Sequence, residues 1–302
     1  MGFPPQLYLI GTQKGGTSYL ASLLGQHPDV CLAEPKEPQF YSSHWDKGLD
    51  WYRARFARPE APVLLDASTS YTAAPLPSTD PPEALVTSKL AGIPARIAEV
   101  APEARFIYLL RDPVVRTWSS YWHTVRVGAE QRPMRDALQA DPYYLRMGRY
   151  LEQLELWYPH FPRERFLVLL FEDLTREPKT VANRALRFAG LSELDDFVLE
   201  SGRNQTFTYT PGIARVVRII KRLGGRSDRI IKALKPFLPR RLLERVAGKV
   251  TQKVPKLSEE DAAWLRSYFR EPNQRLADAL GLDLSAWSPP GPGGGEPAAQ
   301  GR

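Results

Sequence analysis

Cysteine is almost missing from this 302-residue chain, where Cys31 stands alone. One thiol can form neither an intrachain disulfide nor a cysteine zinc site, and such scarcity suits a reducing compartment. No apolar run approaches the ~18 residues of a membrane span. The four histidines, His27, His44, His123 and His160, show no ligand spacing, so no metal is expected. Pro4 and Pro5 lead almost directly into the first apolar run, leaving no room for a charged, cleavable leader. Gln6 stands where a myristoylation motif starting at Gly2 needs Ser or Thr. These absences predict a soluble, cytoplasmic protein.

With 43% hydrophobic residues the chain can bury a full core. A formal charge of +7 and a pI near 9.4 favour an anionic partner: small ligand, glycan, nucleic acid or membrane surface.

The most informative stretch runs from Leu7 to Leu24. Leu7-Tyr8-Leu9-Ile10 reads as a short strand ended by Gly11. The loop Thr12-Gln13-Lys14-Gly15-Gly16-Thr17-Ser18 follows, and then Tyr19, Leu20, Leu23 and Leu24 fall on one face of a helix. The first amides of a helix lack partners and carry the positive end of its dipole, so this strand-loop-helix is an anion cradle. Gly15 and Gly16 permit close approach of the backbone, Thr17 and Ser18 add hydroxyl donors, and Lys14 adds a full charge. The nucleotide pattern G-x-x-x-x-G-K-[ST] places lysine immediately before the hydroxyl residue. Here Lys14 precedes both glycines, toward the distal side of a 5′-phosphate, so the pattern of a nucleotide-dependent kinase or NTPase fails at its most diagnostic position.

Further along, Glu34 to Tyr41 is bracketed by prolines that hold Glu37 on extended backbone near the first loop. A carboxylate there can serve as a general base within hydrogen-bond reach of an acceptor proton, although composition alone favours an exposed loop glutamate. Cys31-Leu32-Ala33 reads as a short extended segment and Lys47 to Phe56 as a short amphipathic helix. Val63-Leu64-Leu65-Asp66 reads as a strand, Pro75 to Pro82 as a loop, and Ile93 to Val100 as a helix with proline at its start. Arg105 to Leu110 is a buried parallel strand ending at Arg111-Asp112-Pro113, before a helix carrying Arg116, Ser119 and Tyr121. In an open α/β sheet this second loop faces the same crevice as the first. Arg111 and Ser119 could hold a second phosphate there, the bland alternative being an ion pair at the helix cap. A helix from 148 to 158, a strand from Phe166 to Phe171 and a helix from Thr180 to Ala189 complete the rhythm. The expected class is α/β, with a P-loop-like, doubly wound, mostly parallel sheet flanked by helices.

With these strand ends in place the chain resembles the sulfotransferases that use 3′-phosphoadenosine 5′-phosphosulfate (PAPS), and most of all the carbohydrate branch of heparan sulfate 3-O- and N-sulfotransferases. Lys14-Gly15-Gly16-Thr17 is similar to the family's 5′-phosphosulfate loop. Arg111, Asp112, Pro113, Arg116, Ser119 and Tyr121 match its 3′-phosphate motif R-D-P-x-x-R-x-x-S-x-Y. Glu37-Pro38-Gln39-Phe40-Tyr41 resembles the segment that carries its catalytic glutamate. The resemblance implies PAPS as donor and Lys14, Gly15, Gly16, Thr17, Ser18, Arg111, Ser119 and Phe171 as its ligands. It implies Glu37 and Lys14 as catalytic groups, His123 and Gln39 on the acceptor side, and a carbohydrate or glycosylated small molecule as acceptor. It covers residues 5 to 212 and, more weakly, the region to Trp287, so residues 1–288 are expected to form one domain. Where the heparan sulfate enzymes often carry a glutamate-lysine pair after the second strand, this chain has Asp66-Ala67. Their paired cysteines are also missing, which fits a cytoplasmic, bacterial-type member.

From Arg215 to Lys256 the chain holds 14 basic residues against two acidic ones, a local charge of +12 where the whole carries +7. Apolar residues interleave at helical spacing, for example Val216, Val217, Ile220 and Leu223, so amphipathic helices are expected. Their basic faces could be solvated, form an acceptor-side wall for an anionic glycan, or dock on an anionic membrane. No recognised module accompanies the charge, so nucleic acid is not expected. Arg203 to Gly212 reads as a lid over the nucleotide. Ser258 begins a helix stopped by Gly281, and the Pro/Gly-rich tail 289–302 is expected to be disordered.

Overall fold

A computed structural model of the chain describes residues 3–199, 207–209 and 251–287. Five parallel strands form one sheet in the order β2-β3-β1-β4-β5. They are β1 (Leu7–Gly11), β2 (Val30–Leu32), β3 (Val63–Asp66), β4 (Arg105–Leu110) and β5 (Phe166–Leu170). The chain runs outward from β1 to β2, returns through β3 to pair with β1, and then crosses to β4 on the other side. That reversal puts a crevice beyond the carboxyl ends of β1 and β4, where open α/β sheets bind ligands. It is the doubly wound class expected from the sequence.

The strands are apolar throughout because both faces are covered. Alternate residues of β1 and β4 part to opposite sides. Leu7, Leu9, Ile107 and Leu109 pack against α1 (Thr17–Leu24) and α11 (Pro178–Phe188). Tyr8, Ile10, Phe106 and Tyr108 face an aromatic layer with Phe40, Tyr41, Tyr52, Trp157 and Phe161. Between these lie α2 (Phe40–Ser43), α3 (Gly48–Arg53), α4 (Pro82–Thr87), α5 (Ile93–Val100), α6 (Pro113–Arg126), α7 (Met134–Ala140), α8 (Tyr143–Arg146), α9 (Tyr150–Glu155) and α10 (Phe171–Arg176).

Three differences from the sequence reading have physical causes. Phe171 opens α10 instead of ending β5, because Leu170 is the last extended residue and Glu172 and Asp173 supply the acidic first turn a helix start favours. The helices α7 and α8 are too short to show a periodicity, and α4 starts at Pro82, where proline suits the first helical position. At the end of the basic stretch, Thr251–Lys253 is a strand, β7, antiparallel to β6 (Phe207–Tyr209). The amphipathic helices expected over 215–250, most of the lid loop and the 289–302 tail lie outside the described residues.

The last long helix, α12 (Glu259–Leu280), begins and ends as expected. Ser258 accepts the Asp261 amide at 3.1 Å, and Gly281 closes the helix in the left-handed conformation at φ 62°. It packs over α6 and α9 through Leu265, Phe269 and Leu276. Phe269 is wholly buried and lies so close to Gly148 that a Cβ there would meet its ring at 2.7 Å and Pro113 at 3.0 Å. The ring therefore props the first turn of α6. Phe269→Ala should lower unfolding free energy by about 3–5 kcal/mol in urea denaturation; a loss under ~1 kcal/mol would show that α12 is dispensable to the core.

Candidate active site

The crevice at the strand ends has a volume of about 570 Å³, within the range of ligand sites. Lys14, Gly16, Thr17, Ser18, Glu37, Gln39, Arg111, Ser119, His123 and Phe171 all line it. Of the residues expected as donor ligands, catalytic groups or acceptor contacts only Gly15 does not. It is buried behind the wall, where a Cβ would meet Thr12 Cγ2 at 2.6 Å and the Leu109 carbonyl at 3.1 Å. Its lack of a side chain lets the loop lie against the end of β4.

The loop is held at both ends. The Thr12 amide donates to Leu109 O at 2.9 Å, and the Gly15 amide to Thr12 O at 2.8 Å. Lys14 takes a left-handed φ of 66° and Gly16 one of 92°. A non-glycine residue in that region is uncommon and costs free energy, which functional loops often tolerate. Arg111 Nη1 donates to Lys14 O at 2.9 Å and its guanidinium stacks 4.5 Å from the Phe171 ring. That ring in turn fills the space a Cβ on Gly16 would need. So Arg111 is no capping ion pair: α6 is capped by Asp112, whose carboxylate accepts from the Val114 amide at 2.9 Å. The first amides of α1, at Thr17 and Ser18, have no intrahelical acceptor and open on the crevice.

Charge in the crevice is mostly positive. Burial, with the charges of Arg126 and Arg111, lowers the Lys14 pKa from the ordinary lysine value. Arg126 Nη2 lies 2.8 Å from His123 Nδ1. A guanidinium can only donate, so Nδ1 accepts and a neutral His123 carries its proton on Nε2.

Opposite this cationic wall stands Glu37. Lys36 Nζ lies 2.9 Å from its Oε1, and Thr69 Oγ1 donates to its Oε2 at 3.0 Å. The turn after β3 holds the whole 36–42 loop: Ala67 N donates to Lys36 O at 3.2 Å, Gln39 N to Ser68 Oγ at 3.0 Å, and Ser42 and Ser70 share a hydrogen bond of 3.0 Å. Asp66 anchors that turn. Its buried carboxylate accepts from Tyr52 Oη at 2.6 Å, Tyr71 Oη at 2.8 Å and Ser68 N at 2.9 Å. Three donors favour the charged form, yet burial outweighs them and pushes the Asp66 pKa from the ordinary 3.8 to about 6.

Sequence reasoning missed Lys36, Thr69, Gln13, Tyr19 and Thr175, of which all but Lys36 line the crevice. Gln13 accepts from Ser120 Oγ at 3.0 Å and so joins the first loop to α6. Lys36 carried one usable signal, its place beside Glu37. Among the described residues no three His, Cys, Asp or Glu side chains gather as a metal site would require, and no helix is long and apolar enough to cross a membrane.

A strand-loop-helix anion cradle and an R-D-P turn meet at one switch point, and the chain belongs to the sulfotransferase family, whose sequence profile matches residues 5–196. Human heparan sulfate glucosamine 3-O-sulfotransferase 3B1 is 31% identical over 204 residues, covering 63% of this chain and 47% of that protein. Bifunctional heparan sulfate N-deacetylase/N-sulfotransferase 1 of Xenopus laevis is 26% identical over 311 residues, covering 94% of this chain and 31% of that one. This chain thus spans half or less of these curated relatives. The crystal structure of a sulfotransferase from Alicyclobacillus acidocaldarius shares the fold with a TM-score of 0.64 at 23% identity, over 94% of this chain and 98% of that one.

The Asp66 shift has a testable sign. A carboxyl whose pKa is raised on folding binds more protons folded than unfolded between about pH 4 and 6. Stability from this group is therefore greatest at the acid end of that window and falls as pH rises, by at most about 1.4 kcal/mol per pH unit. Asp112, also raised to about 6 by burial and then by Glu172, acts with the same sign. Denaturant melts of Asp66→Asn should show a flatter dependence between pH 4 and 6 than the parent; an unchanged slope would refute the assignment.

Proposed function

We propose that the chain transfers a sulfuryl group from PAPS to a hydroxyl or amine of a carbohydrate or glycosylated small molecule. The observation that carries this reading is the single crevice in which Lys14, the α1 amides, Arg111 and Ser119 face Glu37. The donor set suits a 3′,5′-bisphosphorylated nucleotide: two glycines where a Cβ would collide, a helix N-terminus, and both a guanidinium and an ammonium group lining one crevice. The names of the heparan sulfate relatives support a carbohydrate acceptor.

PAPS supplies an activated sulfuryl group on its 5′-phosphate. In the proposed mechanism the amides of Gly16, Thr17 and Ser18 hold that phosphate, and Arg111 and Ser119 fix the 3′-phosphate. Glu37 takes the proton of the acceptor O–H or N–H as the acceptor atom bonds to sulfur. Lys14 neutralises the oxygen left on the 5′-phosphate as its bond to sulfur breaks. Both Glu37 oxygens already accept one hydrogen bond each, and each has a second lone pair for the acceptor proton. Catalysis of this kind is mainly positioning and charge stabilisation. His123 and Gln39, at the same opening, are assigned to the acceptor side.

Calorimetric titration with 3′-phosphoadenosine 5′-phosphate (PAP), beside ATP, tests the donor. Micromolar PAP binding, weak ATP binding and loss of PAP binding in Lys14→Ala and Arg111→Ala are expected. Tighter binding of ATP would overturn the reading in favour of a kinase or NTPase, and no nucleotide binding by folded protein would point to a non-catalytic glycan- or membrane-binding role. Glu37→Gln should keep PAP affinity and lose ~10²–10⁴ in turnover, followed as PAP release with a panel of oligosaccharide acceptors. Undiminished turnover would remove Glu37 as the base.

A further inference from the structure

Position 67, just after β3, is where the resemblance to the heparan sulfate enzymes implies a lysine, and here it is a wholly buried alanine. The Ala67 amide donates to the Lys36 carbonyl at 3.2 Å, so the backbone of Lys36 lies directly against that position. From there the Lys36 side chain reaches Thr17 Oγ1, at the head of the anion cradle, at 3.2 Å, and Glu37 Oε1 at 2.9 Å. Neighbours on extended backbone point to opposite sides. The meeting of Lys36 and Glu37 therefore means that the loop bends both side chains to one side, and Lys36 sits just behind the crevice lining, between Thr17 and Glu37.

We propose that Lys36 is a further catalytic residue, whose ammonium binds the oxygens of the sulfuryl group in transit and so replaces the strand-end lysine missing at Ala67. The inference rests on the PAPS reading. A group passing from donor to acceptor must cross between the Thr17 end of the cradle and the base, and Lys36 is bonded to both. An ammonium has three donors. Thr17 and Glu37 engage two, and the third serves a sulfuryl oxygen. A role confined to pairing with Glu37 would contribute little, since both side chains are partly exposed, at 21% and 31%.

The two nucleotides that differ only by the sulfuryl group separate this role from others. Wild type, Lys36→Met, Lys36→Arg and the double variant Lys36→Met, Ala67→Lys would each be titrated with PAP and with PAPS in the absence of acceptor. Lys36→Met should bind PAP within about twofold of wild type and PAPS about 10- to 100-fold more weakly, the loss of one charge-assisted hydrogen bond. Lys36→Arg and the double variant should recover most of the PAPS affinity. If Lys36→Met weakens PAP and PAPS equally, or neither, Lys36 does not touch the transferred group, while PAP binding by wild type keeps the donor assignment intact. If wild type binds neither nucleotide, the donor reading fails and this inference with it.

Discussion

The hydrogen bond from Arg111 to the Lys14 carbonyl joins the two strand ends that matter. β1 and β4 are neighbours whose outgoing connections leave in opposite directions, so their loops splay and leave the crevice between them. A splayed pair of loops would not by itself hold the two strand ends at a fixed distance. Arg111 removes that freedom, since its guanidinium is tied to the Lys14 backbone and stacked on Phe171, which packs against Gly16. The same contact holds Lys14 in a backbone conformation that lysine does not favour.

The other wall rests on a different device. The Glu37 segment ahead of α2 has no regular structure of its own and borrows order from the turn after β3, which Asp66 anchors through two tyrosines and the Ser68 amide. These tyrosines belong to the aromatic layer over β1 and β4, so Glu37 is positioned by the core and not by its own chain neighbours. An acid buried this deeply is costly. It persists because three donors converge on it, and replacing it with an apolar residue would leave those donors buried and unsatisfied.

The cradle, the R-D-P turn and the strands from Val63 and Arg105 were legible in the sequence because each is a local pattern. A strand, a glycine loop and a helix start lie within eighteen consecutive residues. Lys36, Thr69 and Gln13 were not legible. Thr69 meets Glu37 across 32 positions and Gln13 meets Ser120 across 107, and such pairings follow from how loops settle on a sheet. Phe171 was read as a ligand but on the wrong element, since an apolar run shows where a strand is and not where it stops. Gly15 and Arg111 have packing roles that were hidden in the same way. The sequence marked both as special, and only packing shows that one closes the loop onto β4 and the other bridges two loops.

The crowding of cations explains why so much of the fold is given to holding loops still. Lys14 is made less basic by burial and by Arg126 and Arg111. Its charged form is therefore less favourable folded than unfolded, and this penalty lifts as pH rises through its lowered pKa. Without firm anchors the loop would relieve the repulsion by moving away from Arg111. A polyanion in the crevice reverses the sign of these interactions, so the free energy spent in gathering the cations returns as affinity for the ligand, and a ligand at a hundred times its Kd adds about 2.7 kcal/mol to stability. Lys36 fits this scheme, because in the unliganded protein Glu37 neutralises it. The same lysine thus balances Glu37 and, in the proposed role, keeps a third donor for the anion.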